Sequence, residues 1–399
     1  MYINIIIAVL AGTILGIFTG LTPGIHINLV ASIIVAYSYY ILKILDPITV
    51  IITITTMAIV HTVFDIIPST LFGIPNTENL AMLLPAHKLT SEGKAKLAIF
   101  YGLLGSASGI LTTILTMPLI VKFIPEIYAY IKDYIPFILI LISSYIILKS
   151  KNKFLSALFF ITTGVVGILS FDIKTIDQPL LPLLSGLFGL SALILSINNK
   201  IQLPEQKEEI DTKINSKELA KHSLTTTFAS FLTNFLPGLT SSHTALVADK
   251  LIKIKNQEEY IILSNAASSS ATVIGFLAFY SMGKTRSGIV AAIEFLINSI
   301  NLQILILIIA TSLIALSIST ILAIRLSNKI IKIVSKLNYK KLSLIIMGLI
   351  ICLVLVITKL EGLLILITAT SIGILAQQFN VERINLTGCL ILPVILYLL

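Results

Sequence analysis

The chain has 399 residues, of which 56% are hydrophobic and only 12% are charged, and its mean hydropathy is +1.00. A soluble core cannot hide that much apolar surface, so the composition excludes a soluble globular protein and predicts an integral membrane protein. The net charge of +9 comes mainly from lysines in short loops between apolar runs, a distribution that sets membrane orientation and does not indicate a nucleic-acid partner.

Apolar runs recur along the whole chain, many close to the roughly 20 residues that cross about 30 Å of hydrocarbon. The predicted spans or half-spans are 3–20, 24–42, 47–64, 97–120, 134–149, 154–171, 180–197, 222–236, 239–252, 260–281, 302–324, 342–358, 362–378 and 385–398. Two further stretches, 66–86 and 283–299, are apolar but interrupted by Pro, Gly and charge, which predicts re-entrant hairpins. The first run lacks the positive flank of a signal peptide, so we interpret it as part of the fold.

A Pro-Gly break occurs in apolar sequence once in each half, at Pro23-Gly24 and at Pro237-Gly238. In hydrocarbon every backbone polar group needs a partner, so a broken helix is tolerated only where it is buried in protein or lines a cavity. Two breaks in corresponding positions are typical of the central site of a transporter.

The basic loops predict how the two halves are oriented. If the loops at 88–96, 149–153, 250–255 and 325–341 all lie in the cytoplasm, the spans of the two halves match one for one with opposite orientation. We therefore predict an all-α polytopic membrane protein of two inverted-topology repeats with broken helices and re-entrant hairpins. The repeats are 1–197 and 222–399, joined by a cytoplasmic linker at 198–221, and together they form one membrane domain.

The breaks supply the first candidate binding residues. A half-helix that starts after a break points free backbone amides and the positive end of its dipole at the cavity, which suits a carboxylate. The candidates are Thr22, Pro23, Gly24, His26 and Asn28 in the first half, and Asn234, Pro237, Gly238, Thr240, Ser241, Ser242 and His243 in the second. The alternative for each hydroxyl is a structural bond to a backbone carbonyl or close helix packing.

The first hairpin concentrates polar groups at its turn. Asn76 and Thr77 are candidate substrate ligands, and Glu78 and Asn79 are candidates for cation coordination or a proton step. Ionisable groups at membrane depth are costly and therefore functional by default. The alternative is that Glu78 lies in water at the interface.

The second hairpin and the helix before it carry the remaining candidates. Lys284 and Arg286 would draw an anion toward the site, unless they are snorkelling anchors at the membrane surface. Asn265, Ser268 and Ser269 share one helix face, which predicts that Asn265 contacts substrate and that the two serines contribute to ion coupling. Small-residue helix packing is the alternative for the serines.

Other chemistry finds little support in the sequence. His61 and Asp65, four residues apart, form either a proton-responsive pair or an interfacial salt bridge. Cys352 and Cys389 fall in predicted spans and are interpreted as small apolar residues. No histidine is followed by Glu in a metalloprotease motif and no phosphate-binding glycine loop occurs, so neither an enzyme, a metal site nor a catalytic residue is predicted.

The order of several motifs resembles the large permease subunit of the tripartite tricarboxylate transporters, the TctA-like family, over nearly the whole chain. The motifs are Gly16, Gly20 and Pro23-Gly24, then Gly73-Ile74-Pro75, Leu84-Pro85 and Gly93-Lys94-Ala95, and later Asn265-Ala266-Ala267. The resemblance implies carboxylate uptake driven by an ion gradient, with a small membrane subunit and an extracellular binding protein as partners. A stand-alone permease remains an alternative.

The sequence also departs from the family pattern. Asn76 stands where the family typically has Gly after Gly-Ile-Pro, and the matching second hairpin reads Ser281 to Gly288 without a second Gly-Ile-Pro-Gly. These differences affect the hairpins, so the substrate cannot be carried over from the family.

Together these observations predict a multi-pass secondary transporter of the cell membrane for a small organic anion, with a carboxylate favoured, driven by a sodium or proton gradient. No cofactor is expected beyond the transported ion, and the partners are the anion, the bilayer and the two accessory proteins. The alternative is an ion or solute channel with filter hairpins, because broken helices and re-entrant hairpins also build selectivity filters.

Overall fold

A computed structural model describes residues 2–22, 27–72, 80–176, 178–197, 204–207, 214–285, 287–336 and 339–399. Within these residues every regular element is a helix. The first half contains α1 (Tyr2–Leu21), α2 (Ile27–Ala36), α3 (Ser38–Ile41), α4 (Pro47–Phe64), α5 (Ile66–Phe72), α6 (Leu80–Ser91), α7 (Ala95–Leu115), α8 (Met117–Ile131), α9 (Ile135–Lys149), α10 (Lys153–Asp172), α11 (Leu180–Leu184) and α12 (Ser191–Ile197). A 3-10 turn at Lys132–Tyr134 joins α8 to α9, and a π-helical segment at Ser185–Leu190 joins α11 to α12.

The second half continues with longer helices. They are α13 (Ser216–Thr233), α14 (Ser241–Ile252), α15 (Gln257–Met282), α16 (Gly288–Ile297), α17 (Leu302–Lys336), α18 (Tyr339–Gln378) and α19 (Gly388–Leu398), with a 3-10 helix at Arg383–Thr387 before α19. Eight helical stretches of the described residues are long and apolar enough to cross a membrane. The prediction of an all-α polytopic membrane protein is confirmed, whereas the inverted repeat stays a prediction.

The helices pack in two groups, each built from both halves of the chain. The core group shares one large apolar cluster that contains residues of α4, α5, α7, α15, α16 and α17. The flanking group consists of α9, α10, α11, the π-helical segment, α12, α18, the 3-10 helix at Arg383–Thr387 and α19. The second break, between α13 and α14, lies where the two groups meet, because Leu236 packs with Ile135 and Ile391 of the flanking group.

The most buried helices, α4 and α15, lie at the centre of the core group. Asp46 caps α4: its carboxylate accepts bonds from the Thr49 hydroxyl at 2.6 Å and the Thr49 amide at 3.0 Å. These bonds hold the pKa of Asp46 below its usual value because they favour the charged carboxylate. Asn256 caps α15 in the same way through the Glu259 amide at 2.8 Å.

Two helix-to-helix contacts fall at corresponding positions of the two predicted repeats. A methyl group at Gly16 of α1 would lie 2.8 Å from the Met57 carbonyl of α4, and the Ser230 hydroxyl of α13 donates to the Ala267 carbonyl of α15 at 3.3 Å. Gly16 and Ser230 each lie eight residues before the glycine of their break. Met57 and Ala267 each lie eleven residues after the residue that caps their helix. This correspondence agrees with a repeat, since small residues let helix backbones approach closely in both halves.

Three predicted boundaries differ from the structure. The stretch between predicted spans 97–120 and 134–149 is helical as α8, which begins with a proline at its second position, where a helix tolerates it. Helix α13 begins at Ser216, inside the predicted linker 198–221, because Asn215 accepts a bond from the Lys217 amide at 3.1 Å. Helix α17 continues through part of the basic loop to Lys336, since Lys and Arg are good helix formers.

The chain reverses at Lys359, within the stretch designated α18. Lys359 has non-helical backbone angles (φ 56°, ψ −153°). A methyl group at Gly186 would lie 2.6 Å from Ala369 Cβ, and one at Gly189 would lie 3.8 Å from Ile350 Cδ1. Residues on both sides of Lys359 thus contact the same short π-helical segment, as expected for the two separate predicted spans 342–358 and 362–378.

Loops predicted to share a side of the membrane contact each other. The described part of the linker, 204–207, bonds to the basic turn between α6 and α7, where the Lys207 amide donates to the Gly93 carbonyl at 2.8 Å. The Ser150 hydroxyl, in the predicted cytoplasmic loop 149–153, accepts a bond from Asn385 Nδ2 at 3.1 Å. Asn385 follows the connection between predicted spans 362–378 and 385–398, which is predicted to lie on the same side. The arrangement agrees with the predicted orientation of the spans, and sidedness itself stays a prediction.

Candidate functional site

The second break is a compact turn pressed against the flanking group. Gly238 has φ +83°, a conformation that L side chains rarely adopt. A methyl group there would lie 3.1 Å from Ile391 Cα and 3.2 Å from the Leu390 carbonyl of α19. A glycine is therefore required at position 238 to let the backbone of α19 approach the turn closely. The sequence did not predict this contact.

His243 joins the break to the 3-10 helix of the flanking group and is 2% exposed. Its Nδ1 accepts from the Thr240 amide at 3.1 Å and lies 3.0 Å from the Thr240 hydroxyl, while Nε2 lies 3.3 Å from Thr387 Oγ1. Because a backbone amide can only donate, Nδ1 is the acceptor, and the ring proton of neutral His243 resides on Nε2. Nε2 then donates to Thr387, which in turn donates to the Ile384 carbonyl at 2.5 Å.

The other polar residues of the second break are buried or partly buried around this turn. Asn234 ends α13, and its Nδ2 is buried without a hydrogen-bond partner among the described residues. Ser241 and Ser242 begin α14 at 7% and 1% exposure. An amide donor without a partner beside a break has the chemistry to hold a carboxylate oxygen.

A cavity of about 390 Å³ brings the second break together with the second hairpin. Pro237 of the break lies in its wall, as do Lys284 and Thr285 before α16 and Glu294 on α16. Ile135 and Leu398 of the flanking group and Tyr128 of α8 line the rest of the cavity, which is open to the outside of the protein. The volume falls within the range of small-molecule sites.

The cavity wall carries a separated positive and negative charge. Lys284 Nζ bonds to the Tyr128 hydroxyl at 2.8 Å and lies 4.5 Å from the centre of that ring. The Thr285 hydroxyl donates to Glu294 Oε2 at 3.2 Å. Among the described residues, neither Lys284 nor Glu294 lies within ion-pairing distance of an opposite charge. Within this described part of the chain, each charge is thus held by a neutral hydroxyl, and Lys284 is exposed.

The polar face of α15 is buried against α7 and α13. Asn265 Nδ2 donates to the Ile261 carbonyl at 2.8 Å, and Ser270 donates to the Gly109 carbonyl of α7 at 3.2 Å. Ser268 and Ser269 are 3% and 0% exposed, and the Ser269 hydroxyl is buried without a partner among the described residues. Helix packing thus explains Ser270, whereas Ser269 keeps a free oxygen that could act as a ligand.

The first break is described only up to Thr22, whose hydroxyl donates to the Phe18 carbonyl of its own helix at 2.6 Å. The end of α1 lies against the end of α4: Thr19 Oγ1 is 3.0 Å from His61 Nδ1, and a methyl group at Gly20 would lie 3.2 Å from the Asp65 amide nitrogen. His61 and Asp65 are 2% and 9% exposed, so both lie inside the protein beside the end of α1.

Several predicted site residues lie outside the described residues or have side chains that are not described. They are Pro23, Gly24, His26, Asn28, Asn76, Thr77, Glu78, Asn79 and Arg286. Their neighbouring helices nevertheless connect the two halves: α2, after the first break, packs on α16 of the second hairpin, and α14, after the second break, packs on α6 of the first.

Sequence reasoning missed three residues of this region. Tyr128 and Glu294 line the cavity and Thr387 bonds to His243, but none of them lies beside a break or a predicted hairpin turn. A charged residue within the apolar helix α16 was the available signal for Glu294. Tyr128 and Thr387 reach the site only through tertiary packing.

A family model described as the tripartite tricarboxylate transporter TctA family matches residues 6–388. The chain is also 30% identical, over 97% of both chains, to the uncharacterized protein MJ1079 of Methanocaldococcus jannaschii. No solved structure matches the chain.

Proposed function

Because this chain belongs to the tripartite tricarboxylate transporter TctA family, we propose that it is a secondary transporter carrying a small organic anion, a carboxylate, across the cell membrane. Membership makes the chain a component of a transporter with partner subunits and a small-molecule substrate. Its apolar helices make it a multi-pass membrane protein. The carboxylate, the driving ion and the cell membrane itself belong to the proposal.

The observation that carries the proposal is the cavity between Pro237 and Lys284. It lies where the core group and the flanking group meet, so a small movement of one group against the other would change access to it. Lys284 supplies a cation to a carboxylate, and Asn234, at the end of α13 just before the break, has an amide donor without a partner. Both features support an anionic substrate.

The driving force in this proposal is a sodium or proton gradient. Oxygen ligands suit sodium, and the unpartnered hydroxyl of Ser269 supports a role for the α15 face, with Ser268 beside it. Glu78 and Asn79 of the first hairpin complete the proposed coupling residues. The transported ion is the only cofactor in this proposal.

The proposed partners are a small membrane subunit and an extracellular binding protein. The cavity residues Tyr128, Lys284 and Leu398 all lie near ends of elements predicted to face outward, which is where a binding protein would deliver the anion. If the chain works alone, the same cavity would take its ligand directly from solution.

Uptake by proteoliposomes tests the function. Purified protein is reconstituted and radiolabelled carboxylates are supplied under a sodium gradient, a pH gradient or neither. We expect saturable uptake that requires one gradient, and we expect Lys284→Gln to reduce it while Lys122→Gln, an exposed lysine of α8 outside the cavity, does not. Non-saturable flux that ignores both gradients would instead support a channel and contradict the proposal.

A further inference from the structure

The cavity beside the second break holds one cation and one carboxylate as separate ligands. Lys284 and Glu294 line the same space of about 390 Å³, yet they form no ion pair with each other. Each is held by a neutral hydroxyl, Lys284 by Tyr128 at 2.8 Å and Glu294 by Thr285 at 3.2 Å. A neutral partner positions a charge without cancelling it, so the described residues of the wall present one positive and one negative point to a ligand.

This charge pattern suits a ligand with a single carboxylate better than a ligand with several. A ligand carboxylate beside Lys284 gains a charged hydrogen bond. A second carboxylate of the same small ligand would face Glu294, and like charges at close range repel. A hydroxyl or ammonium group at that position would instead donate to Glu294.

We propose that this cavity selects a monocarboxylate that also carries a hydrogen-bond donor, a hydroxy- or amino-carboxylate, over di- and tricarboxylates. The inference rests on the proposed function, because it takes the cavity as the substrate site of a carboxylate transporter. Lys284 binds the ligand carboxylate and Glu294 accepts from the donor group. Glu294 is thus the residue that determines specificity.

Thermal stabilisation of the purified full-length protein in detergent tests the preference, because a ligand stabilises the state it binds. The probes are propionate, lactate, alanine, succinate and citrate. We expect lactate or alanine to stabilise the protein at concentrations at least about tenfold lower than propionate or succinate, the difference that one charged hydrogen bond makes. The stronger of lactate and alanine identifies the donor as hydroxyl or ammonium.

Substitution of Glu294 tests whether this residue determines the ligand preference. Glu294→Gln keeps the shape of the side chain but removes the charge, so the advantage of lactate or alanine over succinate should shrink by about tenfold or reverse. Glu126→Gln removes an exposed carboxylate of α8 outside the cavity, and this control should leave the order of ligands unchanged.

Two results would overturn the inference. One is wild-type protein that binds citrate or succinate as well as lactate and alanine, and the other is an order of ligands that Glu294→Gln does not alter. In either case saturable, gradient-driven carboxylate uptake would still support the transporter. Absence of all such uptake in proteoliposomes that also contain the two proposed accessory proteins would contradict the transporter itself.

Discussion

His243 Nε2 and Thr387 Oγ1 lie 3.3 Å apart and connect the second break of the core group to the 3-10 helix of the flanking group. The Nδ1 side of the same ring accepts the Thr240 amide, so a single imidazole bonds to both groups of helices. If the groups move against each other during transport, this contact must break.

Replacing Thr387 by Val removes the acceptor while keeping the side-chain shape. The buried Nε2–H of His243 would then have no partner, which costs about 1–3 kcal/mol. We expect a lower melting temperature and slower uptake, measured on purified protein and in proteoliposomes. Thr368→Val removes an exposed hydroxyl that bonds only to its own helix, and it should change neither quantity. Equal melting temperatures and uptake rates of the two variants would show that the bond between His243 and Thr387 contributes nothing to stability or transport.

Replacing Gly238 by Val should abolish transport while the protein still inserts in the membrane. A β-branched residue at φ +83° is strained, and its side chain would meet the backbone of α19 at Ile391. The matched control is Gly348→Val, at a helical position with no atom within 4 Å of the added carbon. Uptake at the wild-type rate by Gly238→Val would contradict the close approach at the break.

Replacing Gln206 by Ala should release the linker from the turn between α6 and α7. The Gln206 side chain accepts from the Ala95 amide at 2.9 Å and donates to the Thr90 carbonyl at 3.1 Å. One side chain thus provides hydrogen-bond partners for a carbonyl near the end of α6 and an amide at the start of α7. We expect faster tryptic cleavage at Lys207, followed by gel electrophoresis. Glu205→Ala, which removes an exposed neighbouring side chain, is the control, and equal cleavage rates in both variants would argue against a docked linker.

Single cysteines test the predicted orientation. Ser91 and Asp133 are both exposed, and the basic-loop argument places Ser91 in the cytoplasm and Asp133 outside. In a background with Cys352→Ser and Cys389→Ala, an impermeant thiol reagent added to intact cells should label Asp133→Cys but not Ser91→Cys. Labelling of Ser91→Cys from outside would refute the inverted-repeat orientation.

Much of the fold was predictable because membrane helices follow from composition and length. The apolar runs predicted α1, α4, α10 and α15 to within a few residues, since each helix satisfies its own backbone within one segment. The boundaries at α13 and α17 were less predictable, because a cap such as Asn215 and the helix propensity of basic residues extend helices into polar sequence.

The candidate site likewise contains residues that were predictable from the sequence and residues that were not. The Pro-Gly break at Pro237-Gly238 and the cation Lys284 were apparent in the sequence, because backbone breaks and charges are conspicuous in apolar surroundings. Their partners Tyr128 and Thr387 were not, because each is distant in sequence and ordinary in its local context.

Hydropathy and motif order, available without any coordinates, predicted an α-helical membrane protein with a Pro-Gly break in each half and a TctA-like permease. Hydropathy and backbone chemistry are local properties, and they can be read from neighbouring residues alone. Three-dimensional packing was needed to show which distant residues meet: Lys284 with Tyr128, Gly238 with Ile391, and His243 with Thr387. Those contacts depend on how two groups of helices pack, and similar lipid-facing sequences are compatible with many packings.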